Sequence, residues 1–104
     1  MRVSTEAQAS LQHIVDHLTE KASLQTALKM ERKLLLAIQS LKTFPDGYGQ
    51  LRIKRKKSDN PYRFLPESSY KIIYTVEETP NPVVIIIELV HDSQSMKGVE
   101  KILP

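Results

Sequence analysis

Residues 62–91 read YRFLPESSYKIIYTVEETPNPVVIIIELVH, and just upstream, at 52–57, stands the basic cluster RIKRKK. Two strand-like runs behind an Arg-bearing YRFLP segment, preceded by a block of cations, predict a sheet with a positive flank. Tyr70, Ile72, Tyr74 and Val76 fall at every second position, with Lys71, Ile73, Thr75 and Glu77 between them. Strand side chains alternate between two faces, so one face reads as core and the other as mixed. Val83–Val90 is an almost unbroken β-branched run, which suits a central strand covered on both faces or packed under helices. Between the runs, Thr79-Pro80-Asn81-Pro82 cannot continue a ladder, because each proline lacks an N–H and restricts the residue before it. A hairpin connection follows.

Outward from the strands, the first half of the chain reads as helix. Thr5-Glu6-Ala7-Gln8 has the capping-box pattern, in which the hydroxyl accepts from the third helical amide and the glutamine reaches back. Ala7, Leu11, Ile14, Val15 and Leu18 follow at steps of mainly three and four, predicting one apolar stripe and a helix over 5–20. Ser23 offers a second N-cap, and Leu24, Ala27, Leu28, Leu34, Leu35, Ile38 and Leu41 continue a stripe to 42, before Phe44-Pro45-Asp46-Gly47 stops it. So short a joint predicts an antiparallel helix hairpin. With a short strand at 1–4 and three or four strands near 50–56, 62–66, 69–78 and 83–91, the expected class is α+β, the helix hairpin covering an antiparallel sheet. In 93–104, Met96, Val99, Ile102 and Leu103 have helical spacing, against which Gly98 counts.

The 104 residues fit a single domain over 1–104. The absence of cysteine excludes disulfides, a thiolate nucleophile and Cys-ligated zinc. Met1-Arg2-Val3-Ser4 runs directly into a polar helix, and no apolar stretch approaches the roughly 20 residues of a membrane span, so the expected location is cytoplasmic. The net charge is a mild +3, but seven basic residues fall between Arg52 and Lys71 against Asp59 and Glu67. Basicity this local points to a patch facing an anionic partner.

Arg52, Lys54 and Lys56 alternate onto one strand face, placed to track a phosphate backbone through charge, while Arg55 and Lys57 point elsewhere. The plainer reading is a solvated strand whose lysines discourage edge pairing. Arg63 and Lys71, on neighbouring strands, either join this patch or pair with Glu67, Glu77 or Glu88. His91, at a strand end, reads either as a proton-transfer group or as a partly buried histidine bonded to backbone. His13 and His17 stand at i, i+4, a spacing one metal can bridge, but no third ligand accompanies them and no metal is expected. Glu31 falls within the second helix's apolar stripe, where a structural ion pair is the expectation. With no Gly-rich phosphate loop, Ser-His-Asp pattern or paired-carboxylate motif, no cofactor is expected either.

Several of these pieces together resemble the RelE/ParE superfamily of bacterial type II toxin–antitoxin toxins. They are a helix hairpin ending in Leu41-Lys42-Thr43-Phe44-Pro45 with Gly47 after it, Arg63 seven residues before Tyr70, the strand Tyr70-Lys71-Ile72-Ile73-Tyr74 beside the family's Tyr-Arg-Ile-x-Tyr, and an apolar strand ending in Val90-His91. The resemblance covers nearly the whole chain and implies a toxin neutralised by a cognate antitoxin, within a hetero-oligomer. Two activities occur on that fold. A ParE-like toxin poisons DNA gyrase by binding and stabilising its cleaved complex. A RelE-like toxin cuts mRNA in the ribosome, and a nuclease here would draw on Arg52, Lys54, Arg63, Lys71 and His91. Lys71 replaces the family's strand arginine and loses its bidentate fork. Asp92-Ser93-Gln94 stands where members often carry an arginine, and no tyrosine or histidine follows His91 to serve as a late general acid. The ParE-like activity is therefore preferred, with Arg52, Lys54, Lys56, Arg63 and Lys71 as target-binding residues. A nonenzymatic basic interaction domain is the remaining alternative, although Tyr48, Tyr62 and Phe64 are too few for a base-stacking platform.

Overall fold

A computed structural model describes residues 1–45, 48–51, 60–78 and 80–103. The order is β1 (Arg2–Val3), α1 (Thr5–Lys21), α2 (Leu24–Ser40), β2 (Arg63–Glu67), β3 (Tyr70–Glu77), β4 (Val83–His91) and α3 (Met96–Ile102). Among the described residues the strands form one sheet in the order β1-β4-β3-β2. The α+β class, the helix hairpin and the central place of Val83–Val90 are as the sequence predicts. The sheet is antiparallel except at β1, which pairs parallel to β4 through Arg2 with Ile85 and Val3 with Ile86. Of the strand expected near 50–56, Gln50 forms a single bridge to Arg63, and 52–59 lie outside the described residues.

β4 is the strand on which two cores meet. Ile73 pairs with Glu88 but Tyr74 with Ile86, so Ile87 is an extra residue, a β-bulge. The bulge shifts the alternation: Val84, Ile86 and Leu89 all join Tyr70, Ile72 and Tyr74 beneath the helices. Val90 faces the other way, with Ile73, Leu51, Tyr62, Val99 and Leu103, and Ile87 packs against this second cluster. The face of β3 read as mixed therefore carries a fully buried Ile73. Short α3 closes the second core. Ser95 caps it by accepting the Gly98 N–H at 3.1 Å. A Cβ on Gly98 would stand 3.3 Å from that hydroxyl, so the glycine that counted against a helix makes room for its cap.

The start of α1 is displaced by one residue from the capping box at Thr5. Ser4 is the N-cap, its Oγ accepting from Ala7 N at 3.0 Å, while Gln8 Nε2 donates to the Val3 carbonyl. The reason is tertiary. Ser4 still belongs to the sheet, its N–H donating to Ile86 O at 2.9 Å and its hydroxyl to Ile87 O at 2.7 Å. Extended backbone at Ser4 then fits the cap position. Ala22 and Ser23 form the joint, and Ser23 caps α2 as expected.

α2 ends at Ser40, two residues short of the expected 42, and its stripe divides. Ala27, Leu34, Ile38 and Leu41 are buried, whereas Leu24, Leu28 and Leu35, together with Leu36, are exposed. Leu24, Leu28 and Leu35 lie about 100° around the helix from the buried set, beyond the reach of α1 and the sheet. Glu31 lies along this exposed row, half-buried, and has no ion-pair partner among the described residues.

Replacing the fully buried Leu34 with alanine should lower the unfolding free energy by about 2–5 kcal/mol. Leu28→Ala, on the exposed row, should change it by less than about 0.5 kcal/mol. Urea denaturation of the isolated chain measures both, and equal losses would mean that the Leu28 face is buried in solution.

Candidate functional site

The candidate target-binding residues begin with Arg52, Lys54 and Lys56, which lie outside the described residues, and continue with Arg63 on β2 and Lys71 on β3. Arg63 is half-buried on the edge strand, and its Nη1 donates to the Tyr48 carbonyl at 2.9 Å. Beside it, Phe64 N donates to Gly49 O at 3.1 Å and Leu51 N to Tyr62 O at 2.9 Å, so 48–51 are laced to the sheet edge. Arg63 is thus first a brace. It also lines a cleft of about 420 Å³ with Gln50, Asn60 and Glu78. Tyr74, opposite Arg63, ties the same region from the helix side by donating its hydroxyl proton to Pro45 O at 2.7 Å.

Lys71 sits elsewhere. It pairs with Val90 of the α3-side core, whereas Arg63 pairs with Tyr74 of the helix-side core, so the two cations project from opposite faces of the sheet. Lys71 Nζ lies 5.8 Å from the centre of the Phe64 ring, a cation–π contact. Neither cation takes the ion pairs weighed for it. Glu77 pairs with Arg2 at 3.1 Å, Glu88 accepts from the Ser10 hydroxyl and from Leu89 N, and Glu67 accepts from Ser68.

His91 is exposed, not partly buried, because β4 carries it past the last residue beneath α1. Its Nδ1 accepts the Ser93 N–H at 3.0 Å, so the expected bond to backbone is present at the surface. The ring stands edge-on to Tyr70, with centroids 5.3 Å apart. Its Nδ1 also lies 2.8 Å from the Ser93 hydroxyl, so Ser93 meets the ring through both its backbone and its side chain. His13 and His17 lie on the exposed side of α1, and no group of three or more potential metal-ligating side chains occurs among the described residues. No described helix is long and apolar enough to cross a membrane.

The helix hairpin on a mainly antiparallel sheet agrees with what the comparisons with known proteins find. Residues 1–96 match the family model of the ParE toxin of the type II toxin–antitoxin system parDE. The chain belongs to the ParE toxin family. Among solved structures, a chain of the chromosomal ParDE toxin–antitoxin system from P. aeruginosa superimposes with a TM-score of 0.68 at 17% identity, over 86% of this chain and 91% of that one. At that identity the likeness speaks for a shared ParE fold. No match is found among curated proteins.

Sequence reasoning missed the bracing role of Arg63, because a bond to a main-chain carbonyl leaves no pattern in residue types. Removing it with Arg63→Ala should cost about 1.5–3 kcal/mol, the range for a hydrogen bond from a charged donor. Equilibrium denaturation checks this, and a cost indistinguishable from that of Lys71→Ala would show that the 48–51 segment holds to the sheet without the guanidinium.

Proposed function

We propose that the chain acts in the cytoplasm as a poison of DNA gyrase, arresting growth by stabilising the cleaved gyrase–DNA complex, and that a cognate antitoxin restrains it. Membership of the ParE family supports the toxin. The preference for gyrase is supported by residues 92–104, which hold neither tyrosine nor histidine to act as a nuclease's late general acid. A poison needs contact surface and positive charge but no group tuned to pass a proton. Arg52, Lys54, Lys56, Arg63 and Lys71 would supply that charge.

The antitoxin reading is supported by the row of Leu24, Leu28 and Leu35, with Leu36 and Phe44 also exposed. Lys29, Arg32 and Lys33 are exposed on the same helix. Apolar side chains among cations suit an amphipathic acidic segment that folds as it binds, the manner in which a flexible tail covers a small domain over a large area. The partners would form a hetero-oligomer, and a plasmid carrying both genes would be stabilised because cells that lose it lose the antitoxin first.

Inducible expression in cells, alone and together with the product of the neighbouring gene, tests both parts. Expression alone should arrest growth with gyrase-linked DNA breaks and intact transcripts. His91→Ala should keep this toxicity, charge reversal at Arg52 or Lys54 should weaken it, and Leu28→Glu should escape neutralisation. In a nuclease, loss of a true general acid or base would lower the rate by about 10²–10⁴-fold. Rapid transcript cleavage with gyrase unaffected would establish the RelE-like alternative, and an absence of any growth effect would contradict a toxin.

A further inference from the structure

On α2, Leu24, Leu28, Glu31 and Leu35 follow one another at steps of four, three and four, the spacing of the seam that one helix presents to another. The three leucines are 59%, 49% and 43% exposed, and Glu31 is half-buried between Leu28 and Leu35, one turn away on either side. Nothing on its own helix neutralises it. The positions three and four residues away are Ala27, Leu28, Leu34 and Leu35, none of them charged. Among the described residues its carboxylate takes neither an ion pair nor a hydrogen bond. The cations stand to one side: at about 100° per residue, Arg32 borders the row on the flank away from the buried set, with Lys29 and Lys33 further round.

We propose, resting on the antitoxin reading of the α2 row, that this seam seats a helix of that partner carrying one lysine or arginine opposite Glu31, among apolar seam residues and with acidic flanks. A helix laid on the row takes water from Glu31 together with the leucines. A carboxylate desolvated without a partner costs more than burying a leucine contributes. An all-apolar seam is therefore disfavoured, and a cation placed opposite Glu31 is selected. One polar position in an otherwise apolar seam fixes register and partner at some cost in affinity. A second copy of the chain fits less well, since two α2 helices would bring Arg32 and its neighbouring lysines toward their own copies with Glu31 alone to offset them.

Binding can be measured on the purified full chain with two synthetic peptides of about three heptads, leucine at the seam positions and glutamate on both flanks to keep each peptide from pairing with itself. The second peptide carries lysine in place of one central seam leucine. Fluorescence anisotropy should show the lysine peptide binding about tenfold tighter than the all-leucine peptide. Net charge alone gives the opposite order, because the lysine makes the peptide less acidic toward a basic surface. Glu31→Leu should reverse the preference, Glu31→Gln should remove it, and Leu28→Glu should weaken both peptides. Binding of the all-leucine peptide as tight as or tighter than that of the lysine peptide, or a lysine preference that survives both substitutions of Glu31, would overturn the role of Glu31 and leave the antitoxin reading of the row in place. No binding of either peptide, or binding that Leu28→Glu leaves unchanged, would overturn both. A concentration-dependent dimer of the chain that Leu28→Glu dissolves would give the row to a second copy and likewise overturn both.

Discussion

The fold depends on one extra residue in one strand. Ile87 bulges from β4, and the bulge turns Leu89 toward the helices and Val90 toward α3. Strict alternation from Val84 would instead place Glu88 and Val90 beneath α1 and α2 and leave Leu89 on the other side. Ser4 fastens the irregularity from outside, donating its backbone N–H to Ile86 O and its hydroxyl to Ile87 O while capping α1. One serine therefore joins the first strand, the first helix and the bulge. Fixing all three through a residue already ordered by the sheet spares α1 a separate nucleation cost.

From this centre the two faces take different roles. The helix-side core is completed by Tyr74, which is fully buried and reaches Pro45 with its hydroxyl, so the chain leaving α2 is held to the sheet. Arg63 repeats the tie at the open edge through Tyr48. The binding candidates are the leucines of α2 on one side and Lys71 over Phe64 on the other. The apolar row left uncovered, Leu24, Leu28 and Leu35, lies on α2. Exposed leucines among cations are what a partner segment can use.

Most of the architecture was legible because its signals are local. The β-branched run of Val83–Val90 marks a central strand, the prolines at 80 and 82 mark a hairpin, and the α1 stripe of Ala7, Ile14 and Val15 is buried as its spacing says. What was not legible was set by tertiary contacts. The bulge at Ile87 is silent because apolar residues fill both faces of β4. Ser4 displaces Thr5 as the cap through bonds to a strand more than 80 residues away. Leu24, Leu28 and Leu35 have helical spacing, but spacing reports apolarity and not whether anything lies across from it. For the site, the residue types of Arg63 and Lys71 were readable, while their placement on opposite faces follows from strand register.

Native-state hydrogen exchange is the most direct measurement of whether β4 joins the two cores into one unit. If it does, the slowest amides of β3 and β4 on the helix side and Val99 on the α3 side should exchange with a common free energy equal to that of global unfolding. Protection of α3 and the end of β4 that is lost at a distinctly lower free energy, with the helix-side core still closed, would show that the second core folds on its own account and that the bulge does not couple them.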